Sequence, residues 1–375
     1  MSSAYSFHAD AGDIQQIKKV TEFIREFHSE SKKLWYLAAP AIFTIVSQYS
    51  IGAITQVFAG HVGNIQLAAV AVENNLIAGF AFGIMNPQIS KAAGKFALWM
   101  IPQLFAYVFT FPIQRFLQSQ SKIYVMASVS GVALVGHVLF SWLFMLKLRW
   151  GLPGGAVVLN TTWWFMAVAQ FVYVLSGACG DAWKGFSHRA FGNLTGFVRL
   201  SLASGVMFCL EMWYFVALIL IAGYTKNAEV SVDAISICMN ISGWTLMFGV
   251  GFSAAISVRV SNELGAGHPR TAKFSVVVAT ATSLFTGIIL GLIPILLRSR
   301  YPPLFSKSSS VQKLVYDLTP LLGFTITLNS LQPTLSGLHT ILLSSDLLLS
   351  PNNLRKNCNL HPSIICQLSM SLLNY

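Results

Sequence analysis

Charge is scarce in this chain: Asp, Glu, Lys and Arg make up 10% of its 375 residues, and 13 of them are acidic. With 54% of the residues hydrophobic and a mean hydropathy of +0.63, too little polar material is present to cover a water-soluble surface. A soluble globular protein is excluded, and the lipid bilayer is left as the solvent. Cysteine is also sparse. Cys179, Cys209, Cys238, Cys358 and Cys366 stand without metal-ligand spacing and read as packing residues. HExxH, a paired-Asp metal motif, a phosphate-cradling GxxxxGK[ST] and any His or Cys cluster are missing. These gaps argue against an enzyme, a cofactor, a metal, and ATP-driven pumping by this chain alone.

The positive excess of +11 is not a nucleic-acid signature, because the 24 Lys and Arg fall in short clusters between apolar runs, as at membrane edges. Lys18, Lys19, Arg25, Lys32 and Lys33 make the polar segment 1–33 an expected cytosolic N-terminus, and no cleavable signal peptide is expected. Loop charges further on do not fix an orientation.

A spanning helix needs about 20 mostly apolar residues. Seven charge-free runs meet that length: Leu34 to Gly60, Phe96 to Gln114, Ile123 to Leu146, Trp150 to Gly180, Ala234 to Val258, Phe274 to Leu297 and Leu318 to Leu338. Two more carry one carboxylate each, Ile65 to Met85 with Glu73 and Leu200 to Tyr224 with Glu211. Backbone polar groups in hydrocarbon must be satisfied within the segment, so the fold class is all-α, a polytopic transmembrane helical bundle.

The two halves resemble each other. Pro102, Leu104, Gln114 and Leu117 recur as Pro320, Leu322, Gln332 and Leu335, an offset of 218. Asn74, Phe82 and Gly83 recur as Asn240, Phe248 and Gly249, an offset of 166. The difference predicts that the first half lacks one helix and its loop, joined near Met85 and Asn86. Repeats of this kind suit a transporter built from two lobes in inverted-repeat-like relation. The expected organisation is a first lobe over 34–180, an inter-lobe loop over 181–199, a second lobe over 200–337 lacking its last two helices, and an unrelated tail over 338–375. About nine helices of a twelve-helix plan are expected.

Glu211 is the sharpest candidate for chemistry. A carboxylate at mid-bilayer is costly and suits a proton-coupling role, although a protonated Glu bonded to a neighbouring helix is the structural alternative. Tyr214 lies one helical turn on, hence on a similar face. Gln48, Gln56, Asn160, Asn240 and Asn329 either line a cavity or bond another helix. His137, alone in an apolar helix, reads as a core histidine before a proton relay. Glu73 and Asp317 sit near helix starts, where carboxylates complement the helix dipole. Pro40, Pro102, Pro112 and Pro320 are candidate kinks. Asn193-Leu194-Thr195 has the form of a glycosylation sequon.

The run VRVSNELGAG from Val258 to Gly267, followed by HPRTAKFS, resembles the loop signature of the plant branch of the multidrug and toxic compound extrusion family. Further matching blocks are Ile54 to Asn75, Lys95 to Lys122, WGLPGGA from Trp150, and SLQPTLSG from Ser330 to Gly337. The resemblance covers about Ser31 to Gly337. It implies a twelve-helix antiporter in two six-helix lobes, exchanging protons or sodium for amphipathic organic compounds across a vacuolar or plasma membrane. It places the family's proton-linked glutamate at Glu211 and the loop motif at Ser261, Asn262, Glu263, Gly265 and Gly267. The position where some members carry a second carboxylate holds Asn329, and a Gly-rich block expected after Met85 is absent. Lipid, protons and a small organic substrate are the implied partners. The competing reading is a membrane fragment of such a transporter that moves nothing.

Overall fold

The computed structural model describes residues 13 to 348, apart from 71–86, 222–227 and short groups of positions elsewhere, most of them between 184 and 220. All regular structure among the described residues is helical: α1 Val20–Val62, α2 Pro87–Ser119, α3 Ile123–Ser141, α4 Leu152–Leu175, α5 Ala228–Gly265, α6 Pro269–Leu296, the single turn α7 Pro302–Phe305, and α8 Ser309–Leu348. Six of the described helices are long and apolar enough to cross a membrane, so this is a multi-pass membrane protein of the expected class. The expected spans Ile65 to Met85 and Leu200 to Tyr224 lie largely outside the described residues.

Several helices run further than the charge-free runs suggest. α1 begins at Val20 inside the polar N-terminal segment, with Glu22 in its first turn to complement the dipole. At 43 residues it reaches well past a hydrocarbon core of about 30 Å. α2 continues through Pro102 and Pro112. α3 passes directly into a π-helical turn, Trp142–Lys147. Gly151 then reverses the chain at φ +61°, a left-handed conformation that glycine adopts without strain, and Pro153 stands in the first turn of α4, where no amide hydrogen is needed.

The chain forms two compact units, and α1 contributes to both. The first unit takes in Met1–Ile42 and Ala222–Tyr375 with Leu200–Leu210; the second takes in Phe43–Arg199 with Glu211–Ile221.

In the first unit, α6 and α8 meet through glycine. Gly287 and Gly291 form a GxxxG pair on α6, and a methyl at Gly323 of α8 would stand 2.7 Å from the Gly291 carbonyl oxygen. Small residues at such crossings let backbones approach closely, which substitutes for hydrophobic drive inside lipid. Ser283 Oγ donates to the Ser330 carbonyl at 2.7 Å across the same seam. α1 approaches α5 closely at one point, where a methyl at Gly251 would meet the Ile42 Cα at 2.7 Å, and Trp35 stacks edge-on against Phe252 at 5.1 Å.

In the second unit, α2 and α4 pack side by side around Phe96, Met100, Leu159, Trp163 and Met166. Tyr107 meets Trp163 edge-on at 4.5 Å. Side-chain donors from α4 reach α2 carbonyls near Pro102: Asn160 Nδ2 to Trp99 O at 2.9 Å and Trp164 Nε1 to Pro102 O at 3.2 Å. The polarity of α2 is turned outside in. Leu98, Phe105, Val108 and Phe109 are exposed, whereas Gln103, Thr110, Gln114 and Gln118 are buried. A helix whose outer face is apolar and whose inner face is polar has lipid as its solvent.

Candidate functional site

The loop motif is, in its first half, helix. Ser261, Asn262, Glu263 and Gly265 form the last turns of α5, and Gly267 ends them at φ +80°. The His268 amide donates to the Glu263 carbonyl and the Gly267 amide to the Leu264 carbonyl, at 2.9 and 3.1 Å. That is a Schellman cap with glycine at its left-handed position, and Pro269 immediately starts α6. The spacing of Asn-Glu-Leu-Gly-Ala-Gly is thus a helix stop followed by a helix start.

Glu263 faces inward. Arg259, one turn earlier, donates through Nη1 to Glu263, and its Nε and Nη2 donate to the two oxygens of Glu30 on α1 at 2.7 and 3.0 Å. Ser275 of α6 donates to the same Glu30, and His268 Nδ1 lies 3.0 Å from the other Glu263 oxygen. Arg259 and Glu30 side chains are each 4% exposed. Buried charge in a membrane helix is tolerated only when paired and hydrogen-bonded, and here one guanidinium serves two carboxylates, bidentately on one of them. Sequence reasoning found Glu263 through the motif but missed Glu30, Arg259, Ser275 and His268 as its companions.

A second tie lies beside the first. Asp13 accepts from the Thr271 amide at 2.9 Å, the Thr271 hydroxyl at 2.9 Å and the Arg270 amide at 3.2 Å. The N-cap residue of α6, His268, makes no side-chain capping bond, so a carboxylate from 257 residues upstream serves instead. Burial alone would raise the Asp13 carboxyl; the bonds from Thr271, Arg270 and Ile14 outweigh it and hold the group below its ordinary value of 3.8.

The second unit contains an uncharged polar chain. His137 of α3 is buried between two hydroxyls, Thr55 Oγ1 of α1 at 2.9 Å from Nε2 and Thr162 Oγ1 of α4 at 2.9 Å from Nδ1. Each hydroxyl also reaches the carbonyl four residues back, Ile51 at 3.0 Å and Val158 at 2.7 Å. The reading of His137 as a satisfied core residue agrees with this geometry. The same unit holds buried amide atoms that have no protein partner among the described residues: Gln48 Nε2, Gln103 Oε1, Gln114 Nε2, and both ends of Gln170. Native interiors leave few such atoms.

Of the other sequence candidates, Glu211 and Tyr214 lie outside the described residues. Asn240 is exposed and its Nδ2 donates weakly to Ser236 O at 3.4 Å. Asn329 is half-buried on α8, next to Ser330, which lines a cavity of about 10 Å³ with Thr245, Phe252, Ser283 and Gly287. That is room for one water and no organic ligand. Among the described residues no group of His, Cys, Asp and Glu is placed to hold a metal.

The family model described as MatE matches residues 80–143 and 203–340. Protein DETOXIFICATION 29 of Arabidopsis thaliana is 52% identical over 382 residues, a stretch longer than this chain itself, covering 87% of the chain and 76% of the relative. Protein DETOXIFICATION 31 of the same plant is 50% identical, covering 90% and 75%. In fold the chain is similar to the crystal structure of the eukaryotic MATE transporter AtDTX14, with TM-score 0.74, 23% identity and 93% of each chain covered. It is also similar to the Vibrio cholerae MATE transporter VcmN in the bent form, with TM-score 0.62 and 13% identity over 85% of this chain.

Proposed function

This chain belongs to the MatE family of multi-pass membrane transporters, and on that premise we propose that it is a proton-coupled antiporter exporting or sequestering amphipathic organic compounds. The observation that carries the proposal is Glu211, a lone carboxylate at the centre of an otherwise charge-free run within the matched stretch 203–340. A carboxylate in that setting resists ionisation until it meets water or a cation. If substrate and proton compete for it, inward proton flow drives substrate outward. Tyr214, Gln48, Asn240 and Asn329 are the proposed cavity-lining residues. The buried amides of the second unit support a polar interior, because unpartnered donors and acceptors favour hydrogen-bonding guests over lipid tails.

The route is secondary transport by alternating access, with no chemical step on the substrate. A vacuolar or plasma membrane is the proposed location. The test is uptake of a fluorescent organic cation into proteoliposomes under an imposed pH gradient. Uptake by the unaltered chain that is abolished in Glu211→Gln supports the coupling role; uptake in the variant with unchanged pH dependence refutes it.

One observation favours a second reading. The aligned stretch of DETOXIFICATION 29 exceeds this chain in length, so the relative holds residues with no counterpart here, in keeping with a first lobe that lacks a helix near Met85. In this reading the polypeptide inserts and folds but moves nothing. The same assay separates the two: a chain that folds and shows no gradient-dependent uptake is the fragment.

A further inference from the structure

The N-terminal segment and the start of α6 border an open groove of about 460 Å³, lined by Ile14, Gln15, Ile17, Arg270, Lys273, Phe274 and Val277. The groove exists because Asp13 is fastened to α6. Its carboxylate takes the Arg270 and Thr271 amides, and the Ile14 amide donates to Thr271 Oγ1 at 3.2 Å, which lays the following residues alongside the helix. Phe23 at the start of α1 stacks edge-on against Phe274, a lining residue, at 5.7 Å. The volume lies in the range of ligand sites.

Two chemistries meet there. Arg270 and Lys273 are exposed, and among the described residues neither side chain has a carboxylate partner. The nearby acids are engaged: Asp13 with α6, Glu26 with Arg25, and Glu30 with Arg259. Beneath the cations lie Phe274 and Val277, one and two turns into a membrane-crossing helix that begins at Pro269. Val277 is 52% exposed. Cations without a carboxylate partner among the described residues, above an apolar floor and at the depth where a spanning helix enters the membrane, complement an anionic headgroup joined to an acyl chain. A soluble anion would match the cations and leave the apolar floor without purpose.

We propose that this groove is a binding site for an anionic phospholipid, with the phosphate on Arg270 and Lys273 and the upper acyl chain along Phe274, Val277, Ile14 and Ile17. The site does not depend on whether the chain transports, or on Glu211.

The test is thermal unfolding of the full chain in phosphatidylcholine nanodiscs titrated with phosphatidylserine. Phosphatidylserine raises the midpoint of the unaltered protein. Arg270→Gln with Lys273→Gln weakens the apparent lipid affinity roughly thirtyfold, the worth of two interfacial cations. Val277→Ser weakens it with both cations in place. Lys147→Gln with Arg149→Gln, removing membrane-edge charge elsewhere, leaves the shift intact. The proposal is overturned if the first double variant responds like the unaltered protein, if the control double variant loses the response equally, or if inorganic phosphate in detergent reproduces the shift without lipid.

Discussion

The Glu30 carboxylate and the Arg259 guanidinium, 229 residues apart in sequence, meet bidentately at 2.7 and 3.0 Å and are both buried. This contact joins the first helix to the end of α5, and Glu263 and Ser275 complete it. The motif region around Glu263 is therefore half of a structural ion cluster whose other half comes from the segment that reads as a polar, cytosolic N-terminus.

Removing the shared cation is expected to be worse than removing either acid. Arg259→Met strands two buried carboxylates and should cost about 3–5 kcal/mol of folding stability. Adding Glu30→Gln and Glu263→Gln to that variant should recover part of the loss, because the uncompensated charges go with the cation. Thermal unfolding of the purified protein in one detergent measures both. A triple variant no more stable than Arg259→Met alone would contradict the charge account.

The tie at Asp13 carries a pH signature. Its folded carboxyl sits below the ordinary value of 3.8, so the stabilisation is fully present above that value and is lost as pH falls through the lowered one. Hydrogen exchange at the Ile14, Arg270 and Thr271 amides should stay slow through neutral and mildly acidic pH and rise only under stronger acid. Asp13→Ala should make exchange fast at every pH and cost about 1 kcal/mol, as for other lost helix caps. Fast exchange near neutrality in the unaltered chain would rule out the tie.

At the α6–α8 crossing a single methyl decides the outcome. A Cβ at Gly323 would stand 2.5 Å from Ile295 Cδ1 and 2.7 Å from the Gly291 carbonyl oxygen. The backbone oxygen cannot yield as a side chain can, so Gly323→Ala is expected to destabilise by roughly 1–3 kcal/mol. Gly265→Ala, where nothing lies within 4 Å of the added atom, should change stability by less than about 0.5 kcal/mol. Denaturation of both variants side by side provides the check.

Gln170 separates stability from transport. It is fully buried with both amide ends unpartnered among the described residues, so Gln170→Leu removes two buried polar groups at similar volume and should leave stability unchanged or raised. If the amide faces the substrate route, gradient-driven uptake falls in the same variant. A loss of stability would show instead that the amide is satisfied within the fold.

Much of the architecture was legible because lipid imposes one rule on every span: twenty or so residues without charge. Leu34 to Gly60 falls inside α1, and Phe274 to Leu297 matches α6 to within one residue at its end, for that reason. The ends were not legible. A reading that stops at charge halts before Arg259, although α5 continues to Gly265, because the partner that makes Arg259 tolerable is Glu30, and no local pattern connects them. Asp13 as the cap of α6 was hidden in the same way. His137 was visible as an oddity, but its two flanking hydroxyls come from separate helices, and only their assembly distinguishes a satisfied ring from a reactive one. The loop motif could be named by resemblance, whereas its physical content, a Schellman stop at Gly267 and an inward Glu263, needed the fold.

The inverted polarity of α2 bears on how the protein is made. Gln103, Thr110 and Gln114 are covered in the finished fold, yet a helix released singly from the translocation machinery would present all three to acyl chains. Each unpaired amide in hydrocarbon opposes that release. α4, whose Asn160 and Trp164 already reach α2 carbonyls, is synthesised only after the short α3 and its π turn. Insertion of α2 is thereby linked to the arrival of a segment made later, and the two are best delivered into the bilayer as a pair.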